Sequence, residues 1–223
     1  MRQTKRWSFC EFPLHLYKIV NMDKKSHWES VYASKQSHEV SWYEPDPYMS
    51  LELIRSVAPL PVRVVDIGAG QSHLVDRLME EGHTVAVLDI SSAAIHETKN
   101  RMGSEAARVQ WIEGDITTLA DIGSFDVWHD RAVFHFLTTP QDREKYVALL
   151  KKTVPVKGFA IMGTFGKGGP EKCSGLDICQ YDAASLRSAM GPSFCLIRET
   201  EYTHTTPWGK PQKFFFAILQ RIE

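Results

Sequence analysis

The stretch Val64-Val65-Asp66-Ile67-Gly68-Ala69-Gly70 constrains this chain more than any other. A short apolar run ends in a glycine turn and passes directly into a helical pattern over 71–81, the signature of a buried parallel strand feeding a helix. Gly68 and Gly70 have no Cβ, so the chain can turn sharply there and let a ligand approach the backbone. Asp66 adds a carboxylate at the strand end, suited to accept hydrogen bonds from an ammonium or an ordered water and repellent to a pyrophosphate. The third glycine of the dinucleotide fingerprint is missing, because His73 stands in its place.

Two further strands end in the same way. Thr84–Asp89 closes on an acid 23 residues after Asp66, followed by Ile90. An acid at this point suits a ribose diol, and the spacing alone also fits a nicotinamide dinucleotide site. The third strand, 108–112, runs into Glu113-Gly114-Asp115-Ile116, which offers Asp115 to an adenine amino group and Ile116 to the ring. Helical patterns at 71–81, 91–101, 141–153 and 183–190 alternate with these short apolar strands, which predicts an open, mostly parallel α/β sheet with helices on both faces. Two long strands at about 195–203 and 213–220, joined through Pro207-Trp208-Gly209-Lys210-Pro211, predict a terminal antiparallel hairpin.

In this order, VVDIGAG (64–70), VLDIS (87–91), EGDI (113–116) and FDVWHDRAVFHFL (125–137) resemble the class I, seven-strand S-adenosylmethionine-dependent methyltransferases over roughly residues 27–223. The resemblance implies a Rossmann-like seven-stranded sheet and S-adenosylmethionine as cofactor. It places Asp66, Gly68 and Gly70 around the methionine part, Asp89 on the ribose, and Asp115 with Ile116 at the adenine, with Ile90 as a further cofactor-binding residue. Asp130 would lie beside the cofactor at the end of the fourth strand. The segment 27–44 is similar to the N-terminal segment of some protein-lysine methyltransferases of this fold, whereas Trp128-His129-Asp130-Arg131 resembles a stretch of thiopurine-type thiol methyltransferases. A small-molecule acceptor, whether thiol, metalloid or amine, is therefore the expectation; protein lysine is the alternative. A nicotinamide-dependent oxidoreductase is disfavoured by Asp66 and His73, and a non-catalytic cofactor-binding protein remains a further class.

The remaining candidates surround the fourth and fifth strands. Asp130 accepts from the cofactor's amino group or, for a lysine amine, helps hold the deprotonating nitrogen, while Arg131 either holds an anionic group of the substrate or pairs with Asp130. His135 is a base, an orienting donor or a structural histidine. The loop 163–175 overhangs the acceptor pocket, with Cys173 and Cys179 on or near it, and two cysteines at that spacing do not form a zinc signature, so no metal is expected. Thr203, His204 and Thr205 reach the same rim or serve as surface turn residues. Before the first core strand, an aromatic-rich segment from about 26 to 57 forms a lid, with a helical pattern from about Asp46. Trp42 or Tyr43 would face the sulfonium, as aromatic rings attract cations, and Trp28 and Tyr32 would pack against the sheet.

The chain of 223 residues, 43% apolar and 24% charged, suffices for one domain with a sizeable core. The expected division is an N-terminal extension at 1–21, disordered or a mis-assigned start before Met22, and one domain at 22–223, with lid and helix over 22–58 and sheet core over 59–223. Lysine and arginine number 26 against 27 aspartates and glutamates, which gives no global case for nucleic acid or a membrane surface. No apolar run reaches the ~20 residues that span a bilayer. Cys10, Cys173, Cys179 and Cys195 are scattered, which suits a reducing compartment, so cytoplasm is expected.

Overall fold

The computed structural model describes residues 23–223, so the extension expected at 1–21 lies outside the described residues. Six helices and nine strands follow the order α1 (Lys24–Ser34), α2 (Tyr48–Val57), β1 (Arg63–Ile67), α3 (Leu74–Glu80), β2 (Thr84–Asp89), α4 (Ser92–Met102), β3 (Gln110–Glu113), β4 (Val127–Arg131), α5 (Pro140–Thr153), β5 (Phe159–Phe165), β6 (Lys172–Cys173), β7 (Leu176–Asp177), α6 (Ala183–Met190), β8 (Phe194–Thr205) and β9 (Pro211–Arg221). Seven strands form one sheet in the order β3-β2-β1-β4-β5-β9-β8. β1 to β5 pair in parallel, and β9 runs antiparallel to both β5 and β8. The sheet is that of the expected fold class.

The parallel strands are apolar because both faces are covered. Along β1, Val64 joins the core beneath α2 and α3, whereas Val65 and Ile67 join the core beneath α5 and α6. The same alternation governs β4: Trp128 and Asp130 point toward α5, and His129 and Arg131 toward the opposite face. This places the two residues of the Asp-Arg pair on different faces of the sheet. The order of the strands reverses between β1 and β4, which leaves a crevice at their carboxyl ends, where open α/β folds bind ligands.

Two elements had no counterpart in the sequence expectation. α1 buries no residue and carries no apolar stripe. The loop after β5 contains a two-stranded hairpin, Lys172–Cys173 against Leu176–Asp177, turned by Ser174 and Gly175 with φ of 49° and 79°. No described helix is long and apolar enough to cross a membrane.

Candidate active site

A mostly apolar cavity of ≈ 330 Å³ occupies the crevice at the carboxyl ends of β1, β2 and β4. It is lined by Asp89, Ile90, Asp115 and Ile116 from the ends of β2 and β3 and by the aromatic residues Trp28, Tyr32, Trp42 and Phe136, together with Arg131 and Cys173; of the aromatics, Tyr32 reaches the Asp89 side, its hydroxyl lying against Gly70. α1 and the β6–β7 hairpin contribute the roof through Lys24, Trp28, Leu176 and Asp177. A second, small cavity of ≈ 50 Å³ lies beside it, lined by Ser50, Asp66, His129 and Arg131 among others.

The acids at the strand ends are positioned by their own turns. Asp89 accepts from Ser91 N with Oδ1 and from Gly70 N with Oδ2, both at 2.8 Å. Burial, against those hydrogen bonds, pushes its carboxyl up to about 6. Each oxygen keeps a free lone pair, so the carboxylate can still accept from a hydroxyl in the cavity. Asp115 accepts from the amide and the hydroxyl of Thr117 at 2.8 Å through one oxygen, Oδ1.

The glycines act differently from the expectation. Gly68 has φ +64° and borders both cavities, but a Cβ there would overlap Val133 Cγ2. Gly70 has φ +55° and borders neither cavity, and the space beside it is taken by the Tyr32 hydroxyl. Both therefore admit protein side chains to the turn as much as any ligand. Asp66 is 3% exposed and paired: His129 Nδ1 lies 2.7 Å from its Oδ1, and His129 Nε2 lies 2.9 Å from Ser50 Oγ on α2.

Asp130 and His135 stand outside the cavity. Asp130 is 0% exposed and accepts from the amides of Val133 and Phe134 and from the Tyr146 hydroxyl on α5. Burial pushes its carboxyl up to about 6 despite these bonds. His135 is 0% exposed, its Nδ1 accepts from Phe165 N at 3.3 Å, and burial with the charge of Arg131 holds it down to about 3. Neither touches the space a substrate would occupy, because strand alternation and the turn Phe134–Phe136 bury them under the site. Arg131 borders both cavities but does not pair with Asp130. Its Nη1 donates to the Trp42 carbonyl at 2.9 Å, and its Nη2 lies 2.9 Å from Glu44 Oε1 in an ion pair without straight hydrogen-bond geometry. The Cys173 thiol is buried beside the cavity and raised to about 11, so it remains a neutral thiol. Cys179 does not border the cavity; its amide donates to the His135 carbonyl at 2.7 Å.

The aromatic roof extends beyond the expectation. Trp42 borders the cavity as expected, whereas Tyr43 borders only the small one. Trp28 and Tyr32, expected to pack on the sheet, line the cavity as well, and Trp28 meets Phe136 edge-on at 5.1 Å and Trp42 at 5.8 Å. Their spacing of four residues places both on one face of α1, and that spacing was the available signal. Glu29 holds the helix down: its carboxylate accepts from Ser91 Oγ, Ser92 N, Ser92 Oγ and Ala93 N at 2.7–3.1 Å, capping α4 from outside. Burial opposes its charge, but those hydrogen bonds keep its carboxyl below the ordinary range.

Residues 64–158 match the methyltransferase domain family. This segment carries a methyltransferase domain. No curated protein matches the chain in sequence. Among solved structures, the methyltransferase fold recurs in a SAM-dependent methyltransferase from Anabaena variabilis, 15% identical, with a TM-score of 0.69 over 90% of this chain and 96% of that one. It recurs in the 1,6-didemethyltoxoflavin-N1-methyltransferase of Burkholderia thailandensis, bound to 1,6-didemethyltoxoflavin and S-adenosylhomocysteine, at 17% identity and TM-score 0.65 over 96% and 94%. The N-methyltransferase NodS of Bradyrhizobium japonicum, in complex with S-adenosylhomocysteine, matches at 14% identity and TM-score 0.66 over 88% and 100%. In this methyltransferase domain, the three strand-end acids expected from the sequence occupy consecutive places along the crevice, two in the main cavity and Asp66 in the small one.

Proposed function

We propose that this protein transfers the methyl group of S-adenosylmethionine to a small molecule held at the aromatic end of the cavity. The observation that carries the acceptor class is the roof: α1 and the β6–β7 hairpin line a space of ≈ 330 Å³, within the size range of small-molecule sites.

The residues present suit the cofactor. Asp89 retains lone pairs for a ribose diol, Asp115 and Ile116 offer an acid and an apolar face for an adenine, and Gly68 with its positive φ borders the space for the methionine part. When bound, S-adenosylmethionine supplies a methyl group already activated on a sulfonium. The chain's own contribution is then to bind, orient and exclude water, the main demands of an in-line displacement. Trp28, Trp42 and Phe136 wall the reacting end and offer aromatic faces to a cation. Among the described residues, the cavity is bordered by no imidazole and, besides Asp89 and Asp115, only by the carboxylate of Asp177, which pairs with Lys172, so the acceptor brings its own nucleophilic lone pair, as a thiolate or a neutral amine does.

Incubation of the protein with methyl-labelled S-adenosylmethionine and a size-fractionated cell extract tests this reading. Enzyme-dependent label in the small-molecule fraction is expected. Label retained on protein would shift the acceptor to a lysine side chain, and no enzyme-dependent label in either fraction would contradict the reading.

A further inference from the structure

His204, expected at a surface turn or at the rim, is instead buried to 2% exposure under the loop that carries Trp42. It borders none of the cavities described above, yet it holds that loop at two points. Its Nε2 lies 2.7 Å from the Ser41 carbonyl, and its Nδ1 lies 3.1 Å from Glu44 Oε1. Arg131 from β4 grips the same loop from the other side, at the Trp42 carbonyl and at Glu44. Two side chains from distant strands, His204 and Arg131, therefore converge on four consecutive residues, 41–44. Trp42, which sits between the anchors, forms a wall of the main cavity.

The donor inventory of this clasp fixes its protonation. A backbone carbonyl only accepts, so Nε2 must carry a proton. Burial would raise Glu44, but its bonds to His204 and the charge of Arg131 hold its carboxyl below the ordinary range, so it too only accepts. Both ring nitrogens are thus placed to donate, one to the Ser41 carbonyl and one to Glu44.

We propose that His204 is a positioning residue for methyl transfer, acting through Ser41 and Glu44 to hold Trp42 against the acceptor end of the cavity when its ring carries both protons. This rests on the methyl-transfer reading above. The groups that face the ring from the surrounding elements are Glu44 on the loop, Arg131 on β4 and Tyr202 on β8; among them only Glu44 and Arg131 are charged, since burial, with the Glu44 charge adding to it, keeps the Tyr202 phenol raised and neutral. Gln212 on β9 lies opposite His204 in the strand register and Phe214 presents its ring at 6.1 Å; neither titrates. Loss of one ring proton removes a charged hydrogen bond to Ser41 or Glu44 and loosens the wall. The cofactor end, at Asp89 and Asp115, takes no part in the clasp.

The test compares the wild type with His204→Ala and with His204→Gln, which keeps donors but does not titrate, over about pH 5 to 8, the range in which histidine side chains change charge. The readouts are acceptor KM, S-adenosylhomocysteine affinity, and hydrogen exchange of segment 37–47 relative to β2. For the wild type, acceptor KM and exchange of 37–47 are expected to rise with pH. His204→Ala raises acceptor KM by about tenfold at low pH, as expected for loss of a charged hydrogen bond, and leaves cofactor affinity within about twofold. His204→Gln flattens the pH profile. Identical KM and pH profiles in all three proteins overturn the proposal, as does a parallel loss of cofactor affinity in His204→Ala, which would show a general structural role. If no protein turns over any acceptor, the methyl-transfer reading fails, and the exchange of segment 37–47 still decides the clasp.

Discussion

Gly68 carries two constraints at once, a left-handed backbone and the Val133 methyl group lying where a Cβ would stand. Gly68→Ala should therefore cost on the order of 2–4 kcal/mol in urea unfolding, from strained φ and steric overlap together. In a Val133→Ala background the overlap is gone and only the backbone cost of roughly 1–2 kcal/mol should remain; an equal loss in both backgrounds would contradict the geometry. Asp130 offers a second test at this scale. Its folded carboxyl, pushed up to about 6 by burial, lies above its unfolded value of 3.8. Its contribution to stability is thus fully present below about pH 4 and is lost as pH rises through about 6. Asparagine does not titrate, so the stability of the wild type relative to Asp130→Asn should fall by on the order of 2 kcal/mol between pH 4 and pH 8. Parallel pH profiles would show that Asp130 is not buried as described. The buried state of Asp130 could not be read from Trp128-His129-Asp130-Arg131 as an active-site string, but strand alternation applied to that string separates Asp130 from Arg131, and this is what the structure shows.

α1 owes its position to few interactions, since it buries no residue. Glu29 on the α4 N-terminus and the aromatic contacts of Trp28 hold it. Glu29→Ala should raise hydrogen exchange of Lys24–Ser34 and weaken cofactor binding several-fold, while thermal unfolding of the sheet core shifts little. Unchanged exchange over α1 would mean that the aromatic contacts and the ion pairs of Lys24 with Asp142 and Lys25 with Glu113 secure the roof without Glu29. The sheet itself was legible because buried parallel strands read as short apolar runs and their carboxyl ends carry polar residues at the crevice. Of its boundaries, β2 and α6 coincide with the expectation, and the others shift by one to three residues at the caps. α1 was hard to read because its apolar pattern rests on one i, i+4 pair, Trp28 and Tyr32, rather than on a sustained stripe. The β6–β7 hairpin escaped notice because its strands are two residues long, though Ser174-Gly175, both with positive φ, is a turn signal that could have marked it.

The molecule as a whole places an apolar, roofed space at the one edge of the sheet where three strand-end acids converge. The acids were legible because each belongs to its own strand end; the roof was not, because it arises where a helix from the N-terminal side meets a hairpin from beyond β5. Binding should carry the signature of Asp89. With its carboxyl at about 6 in the free protein, and a ribose diol favouring the ionised form, S-adenosylhomocysteine affinity should fall as pH drops below about 6, approaching tenfold per unit, and Asp89→Asn should abolish that dependence. The account stands most directly on a crystal structure with S-adenosylhomocysteine. It predicts the ribose on Asp89, the adenine against Ile116 beside Asp115, and the sulfur facing the end walled by Trp28, Trp42 and Phe136. A ligand bound elsewhere on the chain, or one whose sulfur turns away from those rings, would contradict it.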